Sequence, residues 1–266
     1  MTPFICTACG TQYEPSEVPP AQCPICEDER QYINPGGQAW TTLEKNRLQF
    51  KNVFEKIHDG LYAIYSTPSF SIGQRAHLVL STSGNILWDC ITNLDETTAS
   101  IIDKFGGIRA IAISHPHYFT TIMEWSIRFG NAPVYINALD AVWLGRKPPA
   151  TVLWEEDEIQ LWDGMRLIRC GGHFPGASVL HIPAGKGSLL VGDTIQVSVD
   201  QKTVSFMYSY PNLVPLPKKA ILFLHKQVEP LEYDAIYGAF GKYILKDAKQ
   251  AVQFSVNRYL KIFEDR

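Results

Sequence analysis

The chain has 266 residues, of which 45% are hydrophobic and 19% charged, a balance typical of a folded globular protein. Its formal net charge of −3 argues against strong electrostatic binding to nucleic acid or to an anionic membrane surface. No apolar run approaches the roughly 20 residues that span a bilayer, and the N-terminus has no recognisable export signal. We therefore expect a cytoplasmic protein with neither a nucleic-acid nor a membrane partner.

Four of the six cysteines form two Cys-x2-Cys pairs near the N-terminus, Cys6 with Cys9 and Cys23 with Cys26. Two such turns can direct four thiolates at one tetrahedral zinc or iron ion. A disulfide framework would be typical of a secreted protein. A redox Cys-x2-Cys motif would normally lie beside a strand-to-helix turn, not in Pro-rich polar sequence. The pattern therefore predicts a metal site with four cysteine ligands.

These cysteine turns resemble those of zinc ribbons and of rubredoxin-like modules. The resemblance covers roughly residues 4 to 33, and it is carried by Cys9-Gly10, Tyr13 and the Cys-Pro-x-Cys turn that ends at Cys26. The loop between the two pairs is shorter than in true rubredoxins, so zinc and iron both stay open. A metal would stabilise a segment too short to form its own core. We expect a structural module over residues 1–36, with electron transfer as the alternative, followed by a second domain over residues 37–266.

Strand and helix signals alternate through the rest of the chain. Apolar patterns bounded by turn residues predict strands over residues 61–65, 77–81, 86–88, 108–114, 134–136, 159–162, 166–169, 179–182, 189–191 and 235–237. Helical spacing and cap residues, including Asp95 as an N-cap, predict helices over residues 94–105, 120–129, 138–144, 218–225 and about 244–263. These groups of strands and helices predict an α/β layered fold in which helices cover two β-sheets.

Polar residues follow three of these strands directly. In extended backbone, residues i and i+2 point the same way, so His115 and His117 can direct both imidazoles at one point past a strand end. His173 follows a Gly-Gly pair after another strand, and Asp193 follows a third. Three histidines and one carboxylate predict a mononuclear zinc site. The alternative is that these histidines are ordinary core or surface residues.

From about residue 50 to the C-terminus, the chain resembles the metallo-β-lactamase superfamily. The resemblance is carried by motifs that occur in the superfamily's order, each after a predicted strand: Asp89, Ser114-His-Pro-His117, Gly172-His173 and Gly192-Asp193-Thr194. It implies a four-layer αββα sandwich in which the metal lies at one edge between the two sheets.

The chain departs from the superfamily at the second metal position. The superfamily's His-x-His-x-Asp-His motif would place Asp at 119 and His at 120, where this chain has Phe119 and Thr120. A late histidine is also missing, with Ala239 or Phe240 in its place. The three histidines of the first position are present. The resemblance therefore implies one metal at most, with Asp193 as its fourth ligand or as the residue that orients the reacting water.

Three functional hypotheses follow. The first is a mononuclear zinc hydrolase that activates water against a small ester, thioester or lactone, since zinc with an open position lowers the pKa of bound water to about 7. The second is a catalytically inactive protein that binds a ligand or partner on a degenerate hydrolase scaffold. The third is a redox protein with iron in the cysteine module.

Further residues have weaker signals. By resemblance, the aromatic stretch from Phe206 to Asn212 lies near the mouth of the metal site, so Tyr208 or Tyr210 could contact a substrate. Ordinary aromatic packing is the alternative. Glu124, on the helix after the histidine pair, could act as a base, although a glutamate on a helix is more often a solvated surface residue.

Overall fold

The computed structural model describes residues 1–264. Its N-terminal region has little regular structure: the short strand β1 (Ile5–Cys6), the four-residue helix α1 (Pro24–Glu27), the strand β2 (Trp40–Thr41) and the helix α2 (Leu43–Gln49). β1 pairs antiparallel with β2. This pairing joins residues on both sides of position 36, and the division of the chain at that position stays a prediction.

The first large sheet contains seven strands, and its spatial order follows the chain order. The strands are β3 (Lys51–His58), β4 (Leu61–Thr67), β5 (Ala76–Val79), β6 (Ile86–Trp88), β7 (Ala110–Ala112), β8 (Val134–Asn137) and β9 (Thr151–Trp154). The first four pair antiparallel, and β6 to β9 pair parallel. Because parallel neighbours need a crossover connection, α3 (Glu96–Lys104) and α4 (Ile122–Arg128) join β6 to β7 and β7 to β8.

The second large sheet follows in the chain. Its strands, in spatial order, begin with β10 (Glu158–Gln160), β11 (Arg166–Arg169), β12 (Ser178–Ile182) and β13 (Ser188–Leu190). Two small hairpins come next in the chain, β14 (Gln196–Val197) with β15 (Val204–Ser205) and β16 (Met207–Ser209) with β17 (Val214–Pro215). The helix α5 (Lys218–Val228) comes next in the chain. The strands β18 (Ala235–Tyr237) and β19 (Tyr243–Ile244) then complete the second sheet, with β18 beside β13. The helix α6 (Ala248–Leu260) follows them.

Alternation along the strands builds three apolar layers. Leu87 packs in a cluster with residues of α3 and α4, whereas its neighbour Trp88 faces the second sheet. In the second sheet, Leu189 packs with residues of α5 and α6, and Leu190 faces the first sheet. Successive side chains of a strand point to opposite faces, so each sheet contributes to two layers. The result is the αββα sandwich that the sequence predicted.

The sequence missed α2 and the strands β3 and β9. Both strands are edges of the first sheet, and β3, whose sequence mixes polar residues such as Lys51, Glu55 and Lys56 with apolar ones, is only partly buried. The predicted strand over 159–162 ends at Gln160, since Trp162 begins a 3-10 turn. The predicted helix over 138–144 is also a 3-10 turn, and the C-terminal helix begins at Ala248. Among residues 1–264, no helix is long and apolar enough to cross a bilayer.

We predict that Leu180→Ala will lower the free energy of unfolding by about 2–5 kcal/mol, because it removes a fully buried side chain between the two sheets. The matched control is Leu48→Ala, at a leucine that is 83% exposed on α2. We expect this control to change the free energy by less than about 0.5 kcal/mol. Urea unfolding measures both changes, and equal losses in the two variants would contradict this account of the core.

Candidate metal centre

The loop after β7 directs the histidine pair towards the second sheet. Asp89, which follows β6, accepts hydrogen bonds from the backbone N of Ser114 at 2.7 Å and from its Oγ at 3.0 Å. His115 is extended, with φ −170° and ψ 171°, and Pro116 begins a short 3-10 turn that contains His117. The Asp89 carboxylate therefore fixes the start of the loop, and the turn brings His117 round beside His115.

Four buried side chains converge on one point at this edge. His115 Nε2 lies 3.5 Å from Asp193 Oδ2, and His173 Nε2 lies 3.4 Å from His117 Nδ1 and 3.9 Å from Asp193 Oδ2. One donor atom from each residue lies within 4.8 Å of all the others. Four tetrahedral ligands about 2.0–2.1 Å from a zinc ion would lie about 3.4 Å apart. The donor set and its spacing therefore fit a single zinc ion.

Outer hydrogen bonds orient two of the imidazoles. His173 Nδ1 donates to the backbone carbonyl of Tyr208 at 2.9 Å, which directs the Nε2 lone pair towards the other donors. His115 Nδ1 bonds to Ser114 Oγ at 2.8 Å, and its buried Nε2 has no hydrogen-bond partner within the described residues. Metal-binding histidines commonly have such an outer partner on one nitrogen and a free lone pair on the other.

Burial favours the neutral form of His117 and His173. It lowers the pKa of His173 to about 3, with the neighbouring His115 as the next cause, and it lowers the pKa of His117 well below its ordinary value. Neutral imidazole is the form that binds a metal.

Glycine is required beside the centre at position 192, because φ is +50° there and a Cβ would lie 2.4 Å from Ser114 Oγ.

A cavity of about 460 Å³ opens onto His117, His173 and Asp193. Its other walls come from three loops and from the N-terminal module: Arg30, Gln31, Tyr32, Ser69, Ser71, Ile72, Tyr210, Pro211 and Phe240. Phe240 therefore lines the cavity from the stretch where the superfamily resemblance would place a histidine. Phe119 instead packs in the apolar cluster that contains the four module cysteines, so it leaves the centre open.

The weaker sequence candidates have mixed placements. Tyr210 lies on the cavity wall, but its hydroxyl donates to the backbone carbonyl of Asp193 at 3.1 Å. Tyr208 contributes its carbonyl to His173, and its ring lies beside Arg30. Substrate contact by either tyrosine stays a prediction. Glu124, on α4, forms an ion pair with Arg146, and it lies outside the set of cavity-lining residues.

The module cysteines form a second cluster of donors. Cys6 Sγ lies 3.6 Å from Cys26 Sγ, and Cys9 Sγ lies 3.6 Å from Cys23 Sγ. These separations are far longer than a disulfide bond of about 2.05 Å, and they suit four thiolates around one metal ion. Gln38 Nε2 at 3.2 Å from Cys6 Sγ and Tyr13 Oη at 3.0 Å from Cys23 Sγ add polar contacts to the sulfurs.

Sequence reasoning missed three residues around the histidine centre: Arg30, Gln74 and Phe174. Phe174 packs against His115, His117 and His173, with ring centroids 5.0 to 5.7 Å from theirs. Its position directly after His173 was the only available signal. Arg30 and Gln74 are distant in sequence from the histidines, and neither belongs to a recognisable motif.

Asp140 supports the loop that carries His173. Its Oδ1 accepts a hydrogen bond from the backbone N of Gly176 at 2.8 Å, whereas its Oδ2 is buried without a partner among residues 1–264. Burial raises the pKa of this carboxyl from 3.8 to about 7. The folded state therefore holds a proton on Asp140 that the unfolded chain releases at lower pH.

This shift predicts that part of the folding stability is lost as the pH rises from about 4 to about 7, on the order of 4 kcal/mol in total. Below pH 4 both states are protonated, and above pH 7 both are ionised, so the loss is confined to that window. Asp140→Asn removes the titrating group, and we expect its free energy of unfolding to fall less over the same range. Urea unfolding at pH 4.5 and pH 8 measures the difference. Parallel pH profiles for both proteins would contradict the shift.

Comparisons with known proteins identify a relative of this chain and its fold. No family model matches the chain. "Uncharacterized protein YmaE" of Bacillus subtilis (strain 168) is 46% identical over 263 residues, which cover 97% of this chain and 96% of that protein. A solved metallo-β-lactamase from Pontibacter korlensis is 17% identical with a TM-score of 0.56, over 78% of this chain and 99% of that one. The mono-zinc form of the metallo-β-lactamase FIM-1 from Pseudomonas aeruginosa is 17% identical with a TM-score of 0.57, over 78% of this chain and 96% of that one. The αββα sandwich is thus the metallo-β-lactamase fold.

Proposed function

Because the chain belongs to the same family as YmaE of Bacillus subtilis and has the metallo-β-lactamase fold, we propose that it is a metal-dependent hydrolase with one zinc ion at its histidine centre. The observation that carries the proposal is the convergence of four buried donors, from His115, His117, His173 and Asp193, on one point that opens to a cavity. Four buried polar side chains at this spacing would be costly to maintain without a common partner.

The chain's own residues hold and orient the reactants. The three imidazoles supply nitrogen ligands, and Asp193 supplies a carboxylate oxygen. Its other oxygen, Oδ1, is buried without a hydrogen-bond partner in the described part of the chain, so it is the acceptor available to orient a reacting water. A zinc ion bound there would lower the pKa of a water that it took as an additional ligand to about 7, and it would polarise a carbonyl group.

The cavity supports a small carbonyl substrate, such as an ester, a thioester or a lactone. Its volume of about 460 Å³ lies in the usual range for small-molecule sites, and it combines apolar surfaces from Ile72, Pro211 and Phe240 with the hydroxyls of Ser69 and Ser71. Of the two tyrosines, Tyr210 lines the cavity, which supports the proposal that it contacts such a substrate. None of the six cysteines forms a disulfide, which suits our proposal of a cytoplasmic address.

A single metal is favoured because the residues for a second position are replaced by packing groups. Phe119 is 1% exposed in an apolar cluster, and the backbone carbonyl of Thr120 accepts a hydrogen bond from the backbone N of Gln12 at 2.9 Å. Phe240 presents an aromatic ring to the cavity. None of these groups is a ligand for zinc, which takes nitrogen, sulfur or carboxylate donors.

The second candidate is a catalytically inactive protein that binds a small molecule on the same scaffold. One observation favours it: among the cavity-lining residues of the described chain, Asp193 is the only carboxylate, so no separate general base lies in the cavity. The two candidates share the metal centre and differ in turnover. Hydrolysis measurements therefore decide between them.

We predict two metal ions per chain, one at the four-cysteine cluster and one at the histidine centre. His173→Ala should reduce the metal content to one ion and lower the hydrolysis of 4-nitrophenyl acetate, an acyl thioester or an aliphatic lactone by at least about 100-fold, because the centre loses a ligand. Elemental analysis measures which metals are present, and a red colour from thiolate-bound iron would separate iron from zinc at the cysteines.

The matched control is His225→Ala. His225 lies on α5, where its Nε2 bonds to Gln253 Oε1 at 2.9 Å, outside the candidate centre. We expect this variant to keep both metals and full activity. A wild-type protein with metal at the cysteines alone would refute the zinc centre. A protein with both metals but no turnover of any of the three substrate classes would favour the binding protein.

A further inference from the structure

The N-terminal module forms part of the wall around the histidine centre. Arg30, Gln31 and Tyr32 line the cavity, and they follow the last cysteine of the module by only four to six residues. Any movement of the cysteine turns would therefore move this wall. A module that served only to stabilise the chain would have no need to reach the centre.

Arg30 is the first contact from the module to the histidines. It is 8% exposed, and Asp28 holds it through two contacts, Nε to Oδ1 at 2.5 Å and Nη2 to Oδ2 at 2.8 Å. Asp28 itself is the C-terminal cap of α1, the short helix that contains Cys26. The arginine side chain is thus anchored to the turn that presents a cysteine.

The guanidinium group of Arg30 then contacts the histidine loop. It lies over the ring of Phe174, 4.1 Å from the ring centre, and its Nη1 lies 3.5 Å from the backbone carbonyl of His173. The ring of Phe174 in turn packs against all three candidate histidine ligands. Stacking of a buried guanidinium on an aromatic ring is a favourable and directional contact. Arg30 therefore restrains the ring on which the histidines rest.

Gln74 makes a second, independent connection. Its side chain is buried, and its Nε2 lies 3.2 Å from the backbone carbonyl of Cys9 and 3.3 Å from the backbone carbonyl of His117. One amide group thus bridges a cysteine turn and the histidine turn. Because the carbonyl groups are buried, the loss of this amide would leave acceptors without their donor.

We propose that Arg30 and Gln74 are positioning residues that couple the four-cysteine cluster to the histidine centre, so that metal at either site strengthens metal binding at the other. The inference rests on the proposed metal function of the histidine centre. A segment of about 30 residues has too small a core of its own, so its fold depends on packing against the first sheet and on the metal that its cysteines would hold. When that metal is present, Arg30 and the Cys9 carbonyl are held where His173 and His117 need them. Linkage requires the coupling to be reciprocal.

The experiment is a cobalt titration of the full-length chain. Cobalt bound to thiolates has strong sulfur-to-metal charge-transfer bands, which report the cysteine cluster alone. The weaker ligand-field bands of the histidine centre are obtained by subtracting the spectrum of His173→Ala, in which only the cysteine cluster is expected to bind cobalt. We expect Arg30→Met and Gln74→Met each to weaken cobalt binding at the histidine centre by about 10-fold or more, the usual cost of losing an outer contact to a metal ligand. The ligand-field bands should also shift, which a loss of stability alone would not cause.

The matched control is Arg109→Met. Arg109 also lies over an aromatic ring, that of Trp162 at 4.3 Å, but it precedes β7, whereas the histidine pair follows that strand. This control should bind cobalt at both sites as the wild type does. If Arg30→Met does not fold, Arg30→Lys tests the same contact. Lysine keeps the charge but lacks the planar guanidinium group that stacks on Phe174 and makes two contacts with Asp28.

Two failures are distinguishable. If wild-type protein takes up cobalt only at the thiolates, the proposed function fails, and the coupling fails with it. If wild-type protein fills both sites, and the folded variants at positions 30 and 74 keep wild-type affinity and spectra at the histidine centre, the coupling alone is overturned. Reciprocity gives a second measurement: a chelator should remove metal from the cysteines more readily in His173→Ala than in His225→Ala.

Discussion

The packing of one sheet on the other is the constraint on which the candidate centre depends. His115 and His117 follow β7 of the first sheet, whereas His173 and Asp193 follow β11 and β13 of the second. Neither sheet holds a complete set of donors. The apolar layer between the sheets, built from residues such as Trp88 and Leu190, therefore fixes the distance between the two halves of the centre. A shift of about 1 Å in that layer would exceed the roughly 0.5 Å within which the residues of a functional site must be held.

The hydrogen bonds around the donors fix the same geometry at shorter range. Asp89 holds the start of the histidine loop through Ser114, and the carbonyl of Tyr208 sets the orientation of His173. Asp140 supports the following turn through Gly176. These contacts come from different elements of both halves, so the orientation of each ligand depends on the assembled sandwich. Such outer partners are a general requirement for a well-defined metal site.

The N-terminal module packs against the loop that follows the histidine pair. Phe119 packs in the cluster that contains the four module cysteines, and the carbonyl of Thr120 bonds to Gln12. The loop after the histidine pair thus contacts the module through both of these residues. The module in turn places Arg30, Gln31 and Tyr32 around the cavity. The residues at positions 119 and 120 and the module wall of the cavity therefore belong to one set of contacts.

The sequence by itself predicted a layered α/β fold and both groups of donors, because strand alternation, Cys-x2-Cys spacing and His-x-His spacing are local signals. The absence of ligands at positions 119 and 120 followed from the resemblance to the metallo-β-lactamase superfamily. It missed the edge strands β3 and β9, whose partly exposed residues leave a weaker pattern than central strands do. It predicted residues 1–36 as a module with a structural role. Only the tertiary structure decided that Arg30 reaches Phe174, that Gln74 bridges Cys9 and His117, and that Phe119 points away from the cavity. These contacts join residues between 43 and 144 positions apart, and no local pattern encodes a distance between side chains so remote in the chain.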